Sequence, residues 1–143
     1  MLPLEYLNFA NENPACFIAT ADDDQPRVRG FLLWFADESG LYYHTSLTKD
    51  VCRQLIKNPK TELCFYSSSA EPNGKMMRIT GSAEFLDNPA LNDRLITERP
   101  WLTAIGKEQA ESMLAIFRIA HGEARFWTIK DNMREAEVNK VIF

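Results

Sequence analysis

The sequence predicts a mainly β fold with flanking helices (α+β), an antiparallel barrel of six or more strands. Three observations carry this. Short apolar runs rich in aromatic and β-branched residues recur along the chain, each closed by a turn cluster. Helical periodicity is confined to a few short segments between them. Links such as Asp37-Glu38-Ser39-Gly40 and His121-Gly122 are short enough to join antiparallel neighbours.

Taken in order, Pro3 to about Asn11 reads as a short helix with proline in its first turn, where a missing N–H does no harm. Ala15–Ala21 is a strand, followed by the turn Asp22-Asp23-Asp24-Gln25-Pro26. Arg27–Ala36 is read as one strand and Leu41–Thr45 as the next, joined as a hairpin. Thr48 is placed as the cap of a helix over Lys49–Asn58, with Val51, Cys52, Leu55 and Ile56 on one face and Pro59 as its stop. Leu63–Ser67 is a strand and Ser68–Lys75 an exposed loop. Met76–Leu86 is a long strand with Gly81 as a bulge or bend. Asn88 caps a helix over Pro89–Glu98, and a weaker helical stretch covers Pro100–Ser112. Met113–Ala120 and Glu123–Ile129 read as two strands. The tail Val138–Phe143 is apolar enough to be a last edge strand or an arm on a partner.

Composition narrows the function. A chain of 143 residues suits one domain, expected to span 1–143, and its 45% hydrophobic share builds a real core. Sixteen Lys+Arg against twenty Asp+Glu leave a net charge of −4, which argues against a nucleic-acid or anionic-membrane surface but not against a local cationic pocket. No apolar run approaches the roughly 20 residues of a bilayer span. The N-terminal stretch lacks the basic start and apolar core of a signal peptide, and three cysteines without zinc spacing fit reduced thiols, so a cytoplasmic setting is expected.

The chemistry concentrates between Gln25 and Pro59. Arg27 and Arg29 lie two apart on a strand, so both side chains project to one face. The hairpin brings His44-Thr45-Ser46 close by, and Lys49 opens the next helix. A planar bidentate donor, a point charge, hydroxyls and free helix-start N–H groups make a seat for one phosphate. The competing reading is a solvated strand face with unrelated salt bridges, and the pattern leans slightly towards it. There is no glycine-rich nucleotide loop, and two isolated histidines form neither a zinc site nor a triad. His44 reads as a hydrogen-bonded structural residue, His121 as exposed, and the cysteines as buried and inert.

The ordered set Gln25-Pro26-Arg27-Val28-Arg29-Gly30-Phe31, Gly40-Leu41-Tyr42-Tyr43-His44-Thr45-Ser46, Thr48-Lys49-Asp50-Val51, Gln54-Leu55 and Asn58-Pro59 resembles the pyridoxamine 5′-phosphate oxidase-like family of FMN-binding split barrels, in its small single-domain form. The likeness continues through Leu63–Tyr66, Arg78–Gly81 and Gly122–Trp127, nearly the whole chain. It implies a homodimer with two FMN sites at the subunit interface. On that resemblance Arg29 and Lys49 hold the FMN phosphate with Thr45, Ser46 and the neighbouring His44. The backbone of Arg27, Val28, Arg29, Gly30 and Phe31 runs along the isoalloxazine edge. Gln54 and Arg27 are further candidates, and Trp127 reaches the flavin of the other subunit.

Departures from the true oxidase pattern bear on the reaction. Trp34 stands where that enzyme's strand ends in a substrate-binding lysine, and its Ser-Arg-Lys phosphate run becomes Lys49-Asp50-Val51. Glu98-Arg99-Pro100 through Gly106 echoes an oxidase segment, so Arg99 and Thr103 are candidates for part of a substrate anion pocket, against the plainer reading of Arg99-Pro100 as a helix stop with an exposed arginine. The expected function is an FMN-dependent oxidoreductase of an unidentified small molecule, not pyridoxamine phosphate oxidation. The alternatives are a non-catalytic flavin module for electron transfer or redox sensing and, least favoured, haem binding. No metal site is expected.

Overall fold

The computed structural model describes all 143 residues. In chain order the elements are α1 (Leu4–Glu12), β1 (Ala15–Asp22), β2 (Gln25–Leu32), β3 (Phe35–Asp37), β4 (Gly40–Ser46), α2 (Asp50–Lys57), β5 (Lys60–Ser67), β6 (Lys75–Leu86), α3 (Pro89–Glu98), α4 (Lys107–Met113), β7 (Leu114–Thr128) and β8 (Val141–Ile142). All eight strands belong to one sheet of order β2-β1-β5-β6-β7-β4-β3, with β8 on β7. Every pairing is antiparallel, as the short links predict.

The run Arg27–Ala36 is not one strand. It breaks at Leu33-Trp34, so β2 forms one end of the strand order and β3 the other. The covalent chain therefore links the two edges of the sheet, and side chains fill the gap between them. Phe31 of β2 packs tilted against Tyr43 of β4 and Phe117 of β7, at centroid distances of 5.6 and 6.0 Å. The result is a barrel closed by a chain crossing and a packed core instead of a continuous hydrogen-bonded ladder. The DESG hairpin forms as expected, between β3 and β4. Gly40 there has φ +137°, and an added Cβ would lie 2.6 Å from the Ile119 carbonyl oxygen.

The His121-Gly122 link is also not a turn. Residues on both sides of it form the single strand β7, which bends where Gly122 faces Gly81 and the register slips between Gly81 and Ala83. A Cβ on Gly122 would collide with the Thr80 carbonyl oxygen, so the two glycines let the strands approach and bend together. The N-terminal half of β7 thereby pairs with β4, and its C-terminal half with β8. The tail is thus an edge strand of its own chain, with Phe143 buried.

The core joins Ile18, Tyr43, Leu63, Phe65, Met77, Ile79 and Phe117, all fully buried, and burial stabilises such side chains by about 1.5–3 kcal/mol each. α1 covers one mouth: Tyr6 stacks on Phe126 at 4.2 Å, and Asn11 closes two hydrogen bonds with the backbone of Ala36. In α2, Val51, Cys52 and Leu55 are buried as their spacing predicts, but Ile56 is exposed and Gln54 buried in its stead. Asn88 caps α3, accepting from the N–H groups of Ala90 and Leu91. The stretch Pro100–Ser112 divides into a 3-10 turn at Pro100–Thr103 and α4, separated by Gly106 at φ +108°. Cys16 and Cys52 are buried thiols, Cys64 is half-buried and His121 is exposed. No helix is long and apolar enough to cross a membrane.

Candidate functional site

Two cavities flank Lys49. The first, about 470 Å³, lies between β2 and the start of α2 and is lined by Arg27, Val28, Arg29, Lys49 and Gln54, with Asp22, Asp50 and Val51 at its sides. The alternation of β2 aims Arg27 and Arg29 at this side, but the two arginines differ. Arg27 pairs with Asp22 at 3.4 Å, and Asp22 also meets Arg53 at 3.3 Å, so its carboxyl is held below its usual range, chiefly by Arg53. Arg29 has no carboxylate partner. Its guanidinium donates to Thr20 Oγ1 at 2.8 Å, to the Ile18 carbonyl at 3.3 Å and to Gln54 Oε1 at 2.7 Å. Thr20 donates to the same Gln54 oxygen at 2.6 Å, so one buried amide orients both groups. Burial, then the nearby charge of Arg27, lowers the pKa of Arg29, which remains a cation at any physiological pH.

Lys49 takes part in none of the ion pairs. It occupies the N-cap position of α2 with extended backbone, φ −86° and ψ 145°. Thr48, expected as the cap, instead shares a hydrogen bond with Ser46 at 2.8 Å and leaves the helix start without a side-chain cap. The N–H groups of Asp50 and Val51 therefore remain available beside Lys49 and Arg29, while that of Cys52 already donates to the Lys49 carbonyl at 3.1 Å. The solvated-face reading describes Arg27, and Lys49 is likewise exposed; the half-buried Arg29, held by neutral acceptors, departs from it.

The second cavity, about 250 Å³, lies on the other side of Lys49. Its floor is the end of β4 (His44, Thr45, Ser46), and Ile96, Trp101, Ile105 and Met113 form an apolar cover from α3 to α4. Thr45 is 5% exposed, and its Oγ1 is a buried side-chain oxygen without a hydrogen-bond partner. Such a group costs about 1–3 kcal/mol when left unsatisfied. His44 accepts from Arg99 through Nε2, which places its proton on Nδ1. Burial, then Arg99 and Lys49, pushes its pKa down to about 4. The expectation of a hydrogen-bonded structural histidine holds, and its partner is Arg99. That arginine is half-buried, not the exposed residue of a simple helix stop, and also donates to the Leu33 carbonyl at 3.2 Å.

Sequence reasoning thus places Arg27, Val28, Arg29, Lys49 and Gln54 on the first cavity, and His44, Thr45, Ser46 and again Lys49 on the second. Gly30 is exposed with open space at its Cβ position, and β2 is an edge strand, so its outer backbone groups are free. Phe31 sends its side chain into the core. Arg99 and Thr103 do not form an open anion pocket: Arg99 is engaged as above, and the Thr103 hydroxyl donates to the Pro100 carbonyl at 2.8 Å. Trp127 lines neither cavity and sits beside Met76 near the far end of β7. Two features carried no sequence signal. Thr20 is one, since an alternating strand threonine is ordinary. The other is a clamp in which Trp34 Nε1 and Arg94 Nε each donate at 2.7 Å to Glu98, with Arg94 lying 4.2 Å from the Phe35 ring.

The outer face of the sheet carries an exposed apolar strip beside a charged one, in which Arg78 pairs with Glu62 and Arg78 and Arg125 meet Glu135 of the C-terminal segment. Register places Val28, Gly30 and Leu32 of β2, Phe17 of β1, Cys64 and Tyr66 of β5, Met76 of β6 and Trp127 of β7 on this one face. Val28 is 70% exposed, Phe17 53% and Tyr66 51%.

Residues 2–128 match the family model of pyridoxamine 5′-phosphate oxidase. The chain belongs to this family. Among curated relatives, the pyridoxine/pyridoxamine 5′-phosphate oxidase of Escherichia coli O1:K1 / APEC is 28% identical over 125 residues, 87% of this chain and 56% of the relative. The chain thus spans just over half the length of the curated relatives it matches. A NimC/NimA family protein from Clostridium acetobutylicum is similar in structure, with a TM-score of 0.76, 25% identity and coverage of 97% of this chain and 91% of that one. An FAD-binding protein from Mesorhizobium loti shares the fold at a TM-score of 0.64 and 17% identity, over 90% of this chain and 96% of the other. The split-barrel architecture expected from sequence is the one observed.

Proposed function

We propose that this chain binds FMN and serves as an FMN-dependent oxidoreductase of a small molecule. One observation carries the reading: a half-buried guanidinium, Arg29, fixed by three neutral acceptors and facing an unpaired Lys49 at an uncapped helix start. Elsewhere the arginines mostly meet carboxylates, so two unmatched cations converging on one cleft in an acidic chain fit a phosphate dianion. The donor set also suits the group, because Thr45 Oγ1 has no partner of its own and Ser46 adjoins it. On this reading Arg29, Lys49, Thr45 and Ser46 hold the phosphate, Gln54 orients Arg29, and the free edge of β2 from Arg27 to Phe31 meets the ring. When bound, the flavin supplies hydride or electron exchange with the substrate.

The exposed apolar strip of the sheet is assigned to a second copy of the chain. Gly30 offers no side chain there, Val28 and Phe17 offer apolar area, and Trp127 lies on the same face. A twofold pairing through it brings Trp127 to the partner's site and makes the cofactor site shared. Three unbridged thiols suit a reducing cytoplasm. Oxidation of pyridoxamine phosphate is not part of the proposal, because Trp34 is clamped to Glu98 where the oxidase pattern has a substrate-binding lysine. A second reading, a flavin module without its own substrate, is favoured by the shortage of a free acid or base: Asp22 and Asp50 both meet Arg53, and His44 faces Arg99.

The test is a titration of the purified protein with FMN, followed by flavin fluorescence. Replacing Arg29 and Lys49 together with alanine removes two charge-assisted contacts of about 1.5–3 kcal/mol each, so affinity falls at least a hundredfold. Equal affinity in the double variant refutes the phosphate assignment. Turnover of a flavin-reducible or flavin-oxidisable substrate separates the enzyme from the carrier.

A further inference from the structure

The donors of Arg29 divide into a spent set and a free one. A guanidinium carries five N–H groups in one plane, two on each Nη and one on Nε. Nη1 donates to Thr20 Oγ1 at 2.8 Å and to the Ile18 carbonyl at 3.3 Å, and Nη2 donates to Gln54 Oε1 at 2.7 Å. Thr20 Oγ1 and Gln54 Oε1 lie 2.6 Å apart, so the two oxygens together span the Nη1–Nη2 end of the plane and close a ring with it. Nε–H and the second hydrogen of Nη2 are left, and these run parallel along one edge. Ile18, Thr20 and Gln54 are all buried, so the spent edges face the protein and the free edge is the one open to the cavity that Arg29 lines. Asp50, whose charge Arg29 feels at this cavity, pairs with Arg53 at 3.6 Å and not with Arg29.

We infer that Thr20 is a positioning residue: its hydroxyl closes a ring with Gln54 that presets Arg29, with Nε–H and Nη2–H offered as a bidentate fork to two oxygens of the phosphate. The inference rests on the cofactor reading above and names the residue that shapes its anion seat. The direction of each bond in the ring follows from the chemistry. Arginine only donates, so Thr20 Oγ1 accepts from it and sends its own proton to Gln54, which must turn its amide oxygen to both. A fork already held in place loses little freedom when its ligand arrives, so more of each contact appears as affinity. Thr20→Val keeps the shape of the side chain but removes both the acceptor for Nη1 and the donor to Gln54. The guanidinium and the amide are then free to turn. Thr20 lies behind Arg29 and is 5% exposed, so its effect reaches the ligand through the guanidinium alone.

The test compares affinities for FMN and riboflavin, whose ratio isolates the phosphate, in the wild type, Thr20→Val and Thr20→Ser by flavin fluorescence titration. Thr20→Val is expected to lower the ratio about tenfold by weakening FMN alone, and Thr20→Ser, which keeps the hydroxyl, to restore it. A second readout needs no flavin. In protein labelled with nitrogen-15 arginine, the ring slows rotation about the Cζ–Nε bond of Arg29. Its Nη protons then give separate NMR signals in the wild type and Thr20→Ser, and averaged signals in Thr20→Val. An unchanged ratio in Thr20→Val, equal loss of both flavins, a Thr20→Ser protein no better than Thr20→Val, or averaged Nη signals in the wild type overturns the inference. A wild-type ratio near one with separate Nη signals overturns the cofactor reading and leaves the Thr20 ring standing.

Discussion

Acidification acts on the fold through His44. Its folded pKa is about 4 against 6.5 for the free side chain, because burial, Arg99 and Lys49 all oppose a second positive charge. Between these two values the unfolded chain binds more protons than the native one, so stability falls as pH falls from about 6.5 towards 4. At about 1.4 kcal/mol per unit of difference, full protonation of the unfolded histidine removes up to about 3 kcal/mol, and partial solvent access brings this nearer 2. His44→Gln is the matched control, since its amide oxygen accepts from Arg99 and takes up no proton. Urea unfolding followed by tryptophan fluorescence at pH 7, 6, 5 and 4 gives the two pH profiles. Asp22, Glu84 and Glu98, whose carboxyls are held low by arginines, also lose their stabilising ionisation in acid, but equally in both proteins. The wild type is expected to lose about 2 kcal/mol more than the variant over this range. Superimposable profiles would refute the neutral-histidine assignment and the Arg99 contact that supports it.

The other expectations concern separate parts of the structure. Gly122→Ala forces a Cβ into the Thr80 carbonyl at the bend of β7 and should destabilise the fold by several kcal/mol, seen as a large drop in melting temperature or loss of soluble protein. Trp34→Phe keeps the ring beside Arg94 but removes the donor to Glu98, at about 1 kcal/mol in urea unfolding for this half-exposed contact; a change within error would show that the clamp is not a stability element. In sedimentation the wild type should be a dimer, and Phe17→Lys, which places a charge on the exposed apolar strip of the sheet, should be monomeric and bind FMN more weakly. A wild-type monomer with tight FMN binding would contradict the shared site.

The antiparallel class, most strands and the two-arginine cleft follow from local pattern, because period-two alternation and turn residues act over a few positions. Three features escaped it for physical reasons. The break at Leu33-Trp34 has no glycine or proline; it exists because both edges of the sheet must be reached by one chain segment. His121-Gly122 looks like a turn, yet its glycine permits close packing opposite Gly81. The Thr48 cap gave way to a hydroxyl contact with Ser46. At the site, spacing placed Arg27 and Arg29 on one face but not the distinction between them, which depends on Asp22 and Arg53 around one and Thr20 and Gln54 around the other. Arg99 was marked as an anion ligand or an exposed helix stop, and only the fold shows it spent on His44.

The central claim is that Arg29 and Lys49 form a phosphate seat. Its most direct measurement compares the affinities of the wild-type protein for FMN and for riboflavin, which has the same ring and chain without the phosphate. Two charge-assisted contacts of about 1.5–3 kcal/mol predict FMN binding at least a hundredfold tighter. Equal affinity for the two flavins, or none for either, would contradict it.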